Sequence, residues 1–146
     1  MRYYHTMVRI KDINESLKFY CDILGFREVK RKENSKGRYT LIFLCADQDF
    51  ENFNMNYSPA LELTYNWDSE NYLGGRNFGH LAYGVKNIYE LCQKLMDNSV
   101  IINRPPREGK MAFIKSPDGI SIELLQEGDP LPPKEPWLSM QNSGSW

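Results

Sequence analysis

The chain carries one sequence pattern twice, and this duplication constrains its fold more than any other feature. The segment His5-Thr-Met-Val-Arg-Ile-Lys-Asp matches His80-Leu-Ala-Tyr-Gly-Val-Lys-Asn at a constant separation of 75 positions. The match aligns histidine with histidine, an aliphatic residue with an aliphatic residue, and lysine with lysine. A repeat of this length is one supersecondary unit used twice, so the sequence predicts two similar modules.

Each copy predicts the same order of elements. A short apolar strand, Thr6–Ile10 or Leu81–Val85, precedes a helix whose N-cap is Asp12 or Asn87, with a glutamate three positions later. That spacing is the capping-box signature of a helix start. The first helix is predicted to end before Gly25, where a left-handed residue is expected, and the second near Asp97-Asn98. Further strands are predicted at Phe26–Lys30, Tyr39–Cys45, Ala60–Tyr65, Val100–Asn103, Met111–Lys115 and Ser121–Leu125.

The predicted fold is therefore α+β, built from two tandem β-α-β-β-β modules. The modules are residues 1–75 and 76–127, and side by side they would form a curved open sheet with helices outside and a concave face within. The connection 47–59 is polar and rich in asparagine, which predicts a surface excursion. The prolines of the tail, 128–146, exclude a helix or a central strand, and Trp137 predicts that the tail packs along a surface.

Composition and charge exclude several classes of partner. The chain is 41% hydrophobic and 25% charged, an ordinary globular balance, and its formal net charge is −1. Nucleic acids and acidic membranes favour a clustered basic surface, which this balance does not predict. The densest basic stretch, Lys30–Lys32, is interpreted as part of a solvated loop. No apolar run approaches the length of a membrane span.

The cysteines predict a reducing compartment. Three are present, none in a C-x-x-C pair, and an odd and widely spaced set fits reduced thiols better than a disulfide framework. Cys21 and Cys92 lie in helical patterns, where a buried small apolar residue is expected. The N-terminus shows no apolar segment of a signal peptide. We therefore expect a cytoplasmic protein.

The two histidines of the chain, His5 and His80, occupy equivalent positions in the two copies. A single histidine is usually a core or surface imidazole, and either one alone would be interpreted so. Two at matching positions are harder to explain in that way. If a pseudo-twofold axis relates the modules, the two side chains face each other, as metal ligands would.

Two glutamates extend this candidate metal site. Glu62 and Glu123 each lie between two bulky apolar residues on the last predicted strand of a module, so each points to the face opposite its neighbours. A solvent-facing glutamate on an amphipathic strand is the alternative. Two imidazoles and two carboxylates suit Ni, Co, Mn, Fe or Zn, with two octahedral positions left for water or substrate.

Several segments together carry a family resemblance. They are His5-Thr-Met-Val-Arg9, Ser16-Leu-Lys-Phe-Tyr-Cys-Asp-Ile-Leu-Gly-Phe26, Leu61-Glu-Leu-Thr-Tyr-Asn-Trp67, Gly79-His80 and Ser116-Pro-Asp-Gly-Ile-Ser-Ile-Glu-Leu124. In combination they resemble glyoxalase I (lactoylglutathione lyase), of the vicinal-oxygen-chelate or glyoxalase–bleomycin resistance–dioxygenase superfamily. The resemblance spans roughly residues 1–127, and the combination is specific although each segment alone is weak.

The resemblance implies a fold, an activity and a ligand set. It implies a homodimer that isomerises the hemithioacetal of methylglyoxal and glutathione to S-lactoylglutathione. It also implies one divalent ion per site, with Ni or Co favoured over Zn or Mn, and glutathione as cosubstrate. The implied ligands are His5, Glu62, His80 and Glu123. The first pair would come from one chain and the second pair from the other, across the dimer interface.

The resemblance also assigns roles to individual residues. Glu123 is the expected base that carries the proton between neighbouring carbons, and Glu62 is its partner, mainly a ligand and a candidate second base. A divalent ion bound to both vicinal oxygens would stabilise the developing enediolate. Arg9 and Asn66 match positions that bind glutathione, and the alternatives are a strand-edge arginine and a turn asparagine.

The segment before Met111 departs from the family pattern. Between His80 and Glu123 the chain is shorter than in familiar bacterial members, and the missing part is the glycine-rich loop that normally covers the substrate. Arg107 and Lys110 in this segment are candidates for binding the glycyl carboxylate of glutathione. The alternative is a solvated basic loop.

Other functions remain open from the sequence. An extradiol dioxygenase would use a three-ligand iron site, so four available ligands disfavour it. An acyl-CoA epimerase often has an amide or a histidine where Glu62 stands, and an antibiotic-resistance thiol transferase would leave fewer protein ligands. A metal-free binding module would have no reason to keep all four polar groups.

Overall fold

The protein forms two compact units, each with its own sheet. The computed structural model describes residues 2–56, 59–73, 75 and 77–146. The units are Met1–Leu73 and Gly74–Trp146, so the tail belongs to the second unit. None of the helices among these residues is both long enough and apolar enough to cross a membrane.

The first unit is a four-stranded mixed sheet with helices in its connections. Its elements are β1 (His5–Ile10), α1 (Ile13–Leu17), a π-helical continuation (Lys18–Ile23), β2 (Arg27–Asn34), β3 (Tyr39–Cys45), a 3-10 turn (Asp47–Asp49), α2 (Phe50–Asn56) and β4 (Ala60–Asn66). The strand order is β1-β4-β3-β2. β1 runs parallel to β4, and the other neighbours are antiparallel.

The second unit repeats this topology with fewer helices. Its elements are β5 (Leu81–Val85), α3 (Ile88–Asp97), β6 (Ile102–Arg104), β7 (Met111–Lys115) and β8 (Ser121–Gln126). The order is β5-β8-β7-β6, and β5 is again parallel to the last strand. The duplicated α+β fold is therefore confirmed, with the strands in two four-stranded sheets.

Both helices that follow the first strand of a module begin as the sequence predicts. The Asp12 carboxylate accepts a hydrogen bond from the backbone N–H of Glu15 at 2.8 Å, and the Asn87 side chain accepts from the N–H groups of Tyr89 and Glu90. Each cap is worth about 1 kcal/mol. Gly25 ends the first helix with φ of +84°, which glycine adopts without strain.

The basic stretch predicted as a loop is a strand instead. Lys30–Lys32 lie in β2, the edge strand of the first sheet. Arg31 donates two hydrogen bonds to the Glu28 carboxylate at 2.8 and 2.7 Å. A charged, exposed sequence is typical of an edge strand, because it discourages pairing with another chain. The polarity of this stretch therefore reflects its edge position rather than a lack of structure.

The connection 47–59, predicted as a polar surface excursion, is exposed at residues 47–49 and contains helical structure that the sequence analysis did not predict. It contains the 3-10 turn and α2. Arg27 lies over the Phe50 ring at 4.5 Å from its centroid, so the helix start packs against β2. Residues 57 and 58 lie outside the described residues.

Each unit packs its sheet around a core of aliphatic side chains. In the second unit α3 contributes Ile88, Cys92 and Leu95, all fully buried, against Ile114 and Ile122 of the sheet. Burial raises the pKa of the Cys92 thiol to about 12. Since the thiolate is the reactive form, Cys92 is a structural residue, as the sequence predicts.

The tail packs against the second unit through an aromatic anchor. Trp137 is only 2% exposed and stacks on Tyr89 of α3, with ring centroids 6.2 Å apart and an interplanar angle of 13°. The Tyr89 hydroxyl donates to the Pro132 carbonyl at 3.0 Å. Gly109 lets the Leu131 backbone approach so closely that a Cβ would lie 1.9 Å from the Leu131 carbonyl oxygen.

We expect Trp137→Ala to lower the free energy of unfolding by about 3–5 kcal/mol, because it removes a fully buried aromatic side chain. The measurement is urea unfolding followed by circular dichroism. Leu138→Ala is the matched control, since Leu138 is the next residue and is exposed. We expect it to change stability by less than about 0.5 kcal/mol. Equal effects of the two substitutions would contradict this account of the tail.

Candidate metal centre

The first unit brings His5 and Glu62 together. His5 begins β1, and Glu62 lies on β4, opposite Met7 in the parallel pairing. Residues two apart on a strand share a face, so His5 and Met7 lie on the Glu62 side. The distance from His5 Nε2 to Glu62 Oε2 is 3.1 Å. The Phe43 ring meets the imidazole edge-on at a centroid distance of 5.8 Å.

The second unit repeats the arrangement. His80 immediately precedes β5, and Glu123 lies on β8 opposite Ala82. The distance from His80 Nε2 to Glu123 Oε2 is 3.2 Å. The Phe113 ring lies edge-on to the imidazole at 5.4 Å, with an interplanar angle of 87°. All four residues named from the sequence therefore occur in two matching His–Glu pairs.

Each pair combines a buried carboxylate with an accessible imidazole. The glutamate side chains are 11% and 14% exposed, whereas the histidines are 41% and 43% exposed. Carboxylates are seldom buried this far without a partner, because removing their charge from water is costly. The imidazole on the exposed side supplies that partner. The pairs are consequently open on one side, where a further ligand can approach.

Sequence reasoning missed the phenyl rings that flank the two pairs. Phe43 lies opposite Glu62 in the β3–β4 register, and Phe113 lies opposite Glu123 in the β7–β8 register. Cross-strand neighbours on one face touch in this way. The only sequence signal is an aromatic residue on each preceding strand. Whether that aromatic ring lies beside a glutamate depends on the strand register, which cannot be read from the sequence.

The donor set of each pair fits half of a divalent metal site. Two donor atoms about 2.1 Å from an ion and at right angles to each other lie about 3.0 Å apart. The observed separations of 3.1 and 3.2 Å agree with that spacing. Within the described residues no group of three or more histidines, cysteines, aspartates or glutamates is placed to hold a metal. Each pair supplies only two ligands.

The two carboxylates differ in their second contact. The Thr64 hydroxyl donates to Glu62 Oε1 at 3.3 Å, and both side chains are buried. Thr64 follows Glu62 by two positions on the same face of β4. The residue two positions after Glu123 is Leu125, which cannot donate a hydrogen bond. The Glu62 carboxylate is therefore held on both oxygens, and the Glu123 carboxylate lacks this hydroxyl partner.

Arg9 and Asn66 lie on the same face of the first sheet as the His5–Glu62 pair. Arg9 is opposite Thr64 in the β1–β4 pairing, and Asn66 follows Thr64 by two residues on β4. The Asn66 amide donates to the Tyr72 hydroxyl at 3.4 Å. A guanidinium and an amide beside the pair can bind the carboxylate and peptide groups of a ligand. Arg9 lies on β1, an edge strand, as its alternative has it, and Asn66 is the last residue of β4 rather than part of a turn.

Arg107 and Lys110 have different surroundings. The Arg107 guanidinium donates to the Met140 carbonyl at 2.9 Å and to the Asn142 side-chain oxygen at 2.7 Å. It therefore holds the tail, a contact that the sequence did not predict. Lys110 is exposed, and its carbonyl accepts from the Gln126 N–H at 2.8 Å. Their expected roles in substrate binding remain predictions.

The fold agrees with the comparisons to known proteins. The chain belongs to the glyoxalase/bleomycin resistance protein/dioxygenase superfamily, whose family model matches residues 2–124. A probable lactoylglutathione lyase of Synechocystis is 40% identical over 127 residues, covering 84% of this chain and 92% of that protein. The lactoylglutathione lyase of Escherichia coli O157:H7 is 36% identical over 134 residues, covering 88% and 95%.

A solved structure indicates which type of enzyme within the superfamily this chain resembles. Leishmania major glyoxalase I, described as trypanothione-dependent, has a TM-score of 0.77 and 36% identity, with 87% of each chain covered. The chain is accordingly an enzyme of the lactoylglutathione lyase, or glyoxalase I, type. Homology to lactoylglutathione lyases implies a divalent metal ion and a glutathione-type substrate, as the sequence resemblance also did.

The hydroxyl contact to Glu62 generates a prediction for metal affinity. We expect Thr64→Val, which keeps the shape and removes the donor, to weaken binding of a divalent ion by roughly tenfold or more. The measurement is competition with a chromophoric chelator. Thr64→Ser is the matched control, because it keeps the hydroxyl and should stay within about threefold of the unaltered protein. If the valine and serine variants bind metal equally well, Thr64 does not position Glu62.

Proposed function

We propose that His5 and Glu62 of one chain and His80 and Glu123 of a second chain bind one divalent ion at the active site of this glyoxalase I-type enzyme. The observation that carries the proposal is the recurrence of a His–Glu pair with nearly the same separation, 3.1 and 3.2 Å, in both units. Two independent surface contacts would have no reason to match in residue type, strand position and distance.

The incomplete pairs support a dimer. Two protein ligands are fewer than a divalent ion usually has in an enzyme, and the described part of one chain offers no larger cluster. In an isologous dimer the twofold axis produces every contact between the two chains twice. It would join the first pair of each chain to the second pair of the other and form two equal sites.

The donor set bears on the identity of the metal. Nitrogen and carboxylate oxygen ligands without a thiolate suit Ni and Co, which we favour, as well as Zn and Mn. The three cysteines are free and do not join the pairs. Free thiols also agree with our proposal that the protein acts in the cytoplasm.

Glu123 is the residue that we assign to proton transfer. A divalent ion held by His5, Glu62, His80 and Glu123 would stabilise the negative charge that develops when the hemithioacetal loses a proton. The Glu123 carboxylate accepts the proton from the carbon that carries sulfur and returns it to the neighbouring carbon, so the substrate is isomerised without net loss of atoms. Glu62, held by Thr64, is less free to leave its position and serves mainly as a ligand.

Arg9 and Asn66 are the residues that we assign to the thiol portion of the substrate. They share a face with the first pair and offer a fixed charge and an amide to a peptide-like thiol. Arg107 and Lys110 are further candidates for its glycyl carboxylate. We propose glutathione as the thiol. Trypanothione, named for the Leishmania major relative, is the alternative, and kcat/KM for the two methylglyoxal adducts decides between them.

Mixing two inactive variants tests whether the site spans two chains. We expect His5→Ala and His80→Ala each to lose most activity alone, because every site then lacks one ligand. A heterodimer formed by unfolding and refolding a mixture would contain one intact site and one site with both defects. After random mixing, roughly a quarter of the sites should be intact, and methylglyoxal–glutathione turnover should recover accordingly.

The matched control for the mixture is His5→Ala combined with Glu62→Ala. Both changes damage the first pair, so every site of that heterodimer keeps a defect and activity should not recover. A single-chain site would be indicated if the first mixture were no more active than its separate components. Recovery in both mixtures would show that the variants are rescued by something other than ligand pairing.

Glu123→Gln tests the proton-transfer assignment. The amide keeps the size of the side chain but cannot act as a base at neutral pH, so we expect kcat to fall by about 10²-fold or more. Glu62→Gln is the control, and we expect a clearly smaller loss of kcat. Metal content measured by mass spectrometry must be similar in both variants. A larger loss in Glu62→Gln would reverse the two roles.

A further inference from the structure

The end of the tail is fastened to the second sheet by contacts that the glyoxalase I-type activity does not require. The family model matches residues 2–124, so the tail side of these contacts lies outside the shared domain. Ser143 and Asn103 of β6 exchange two hydrogen bonds of 2.8 Å, one between backbone groups and one from the Asn103 amide to the Ser143 carbonyl. The tail is thereby pinned along the edge strand.

The segment before Met111 provides the second set of contacts to the tail. Arg107 donates to Met140 and Asn142, which immediately precede the pinned residue. The segment that is expected to cover the substrate in related enzymes is here a clamp for the tail.

The last residue of the tail contacts the phenyl ring that flanks the His80–Glu123 pair. The indole of Trp146 lies 6.0 Å from the Phe113 ring between centroids, at an interplanar angle of 31°. Phe113 is the ring that meets His80 edge-on. Phe113 is nearly buried, whereas Trp146 remains 43% exposed. Phe113 and Trp146 therefore form an aromatic wall that contacts His80 through the Phe113 ring, and much of the Trp146 surface is open.

We propose that Trp146 is a specificity-determining residue that limits the size of the carbon substituent on the 2-oxoaldehyde part of the substrate. An aromatic wall favours an apolar group, whereas a charged peptide-like thiol gains more from the polar face that carries Arg9 and Asn66. The proposal rests on the proposed function, because it requires that His80 and Glu123 bind the metal beside which the substrate reacts.

Substrate discrimination tests the proposal directly. We expect Trp146→Ala to raise kcat/KM for the phenylglyoxal–glutathione adduct relative to the methylglyoxal adduct by about tenfold, since removing an indole enlarges the apolar space. A chain that ends at Asn142 should show the same change. Leu138→Ala is the control, because this exposed tail residue is not part of the aromatic wall and the ratio should remain unchanged. An unchanged ratio in Trp146→Ala would overturn the proposal.

A measurement without turnover separates this proposal from the proposed function. Co²⁺ bound at His80 should quench the fluorescence of a nearby indole, so titration with Co²⁺ should quench the unaltered protein more than Trp146→Phe. Equal quenching would show that Trp146 does not lie beside the metal and would overturn the proposal. If the unaltered protein binds Co²⁺ but does not isomerise the methylglyoxal adduct, the proposed function fails, and the quenching result still decides the position of Trp146.

Discussion

The burial of one carboxylate in each sheet is the constraint on which the site depends. Glu62 and Glu123 occupy the strand next to the first strand of their module, so a neighbouring strand borders them on each side. A carboxylate in that position needs a nearby partner, because its charge is poorly hydrated. The parallel pairing places a histidine at or just before the start of the neighbouring strand, close to the carboxylate. The same strand register therefore determines both the sheet and the position of the His–Glu pair.

The sequence indicated the four candidate ligands because the duplication gave each of them a counterpart, and the structure brings them together in two His–Glu pairs. His5 and His80 matched each other, and their glutamates shared a pattern that needed no tertiary information. The phenyl rings at Phe43 and Phe113 could not be predicted, since they depend on which residues face each other across strands. The first half of β2 was predicted as the strand Phe26–Lys30, but its charged second half was taken for a loop because its sequence reflects an exposed edge position, and α2 was not predicted because its composition is polar.

The two modules have diverged where the substrate would bind. The position that Arg9 occupies in the first copy is Gly84 in the second, and the Glu127 side chain lies over it, 3.0 Å from where a Cβ would stand. The first module therefore has a cation at this position, whereas the second has a carboxylate beside it. Together with Thr64 in one module and Leu125 in the other, this gives two matching His–Glu pairs with unlike surroundings. Such asymmetry suits a substrate with a charged thiol part and a small apolar part.

In the proposed dimer, metal binding and chain association are one equilibrium. Each chain supplies half of each site, so an ion that binds the complete site adds its binding free energy to the dimer and none to the separate chains. Reciprocally, association raises metal affinity by the same factor. The open, accessible imidazoles are consistent with this coupling, because they leave one side of each pair available to ligands from elsewhere. A site closed within a single module would bury the histidines as deeply as the glutamates.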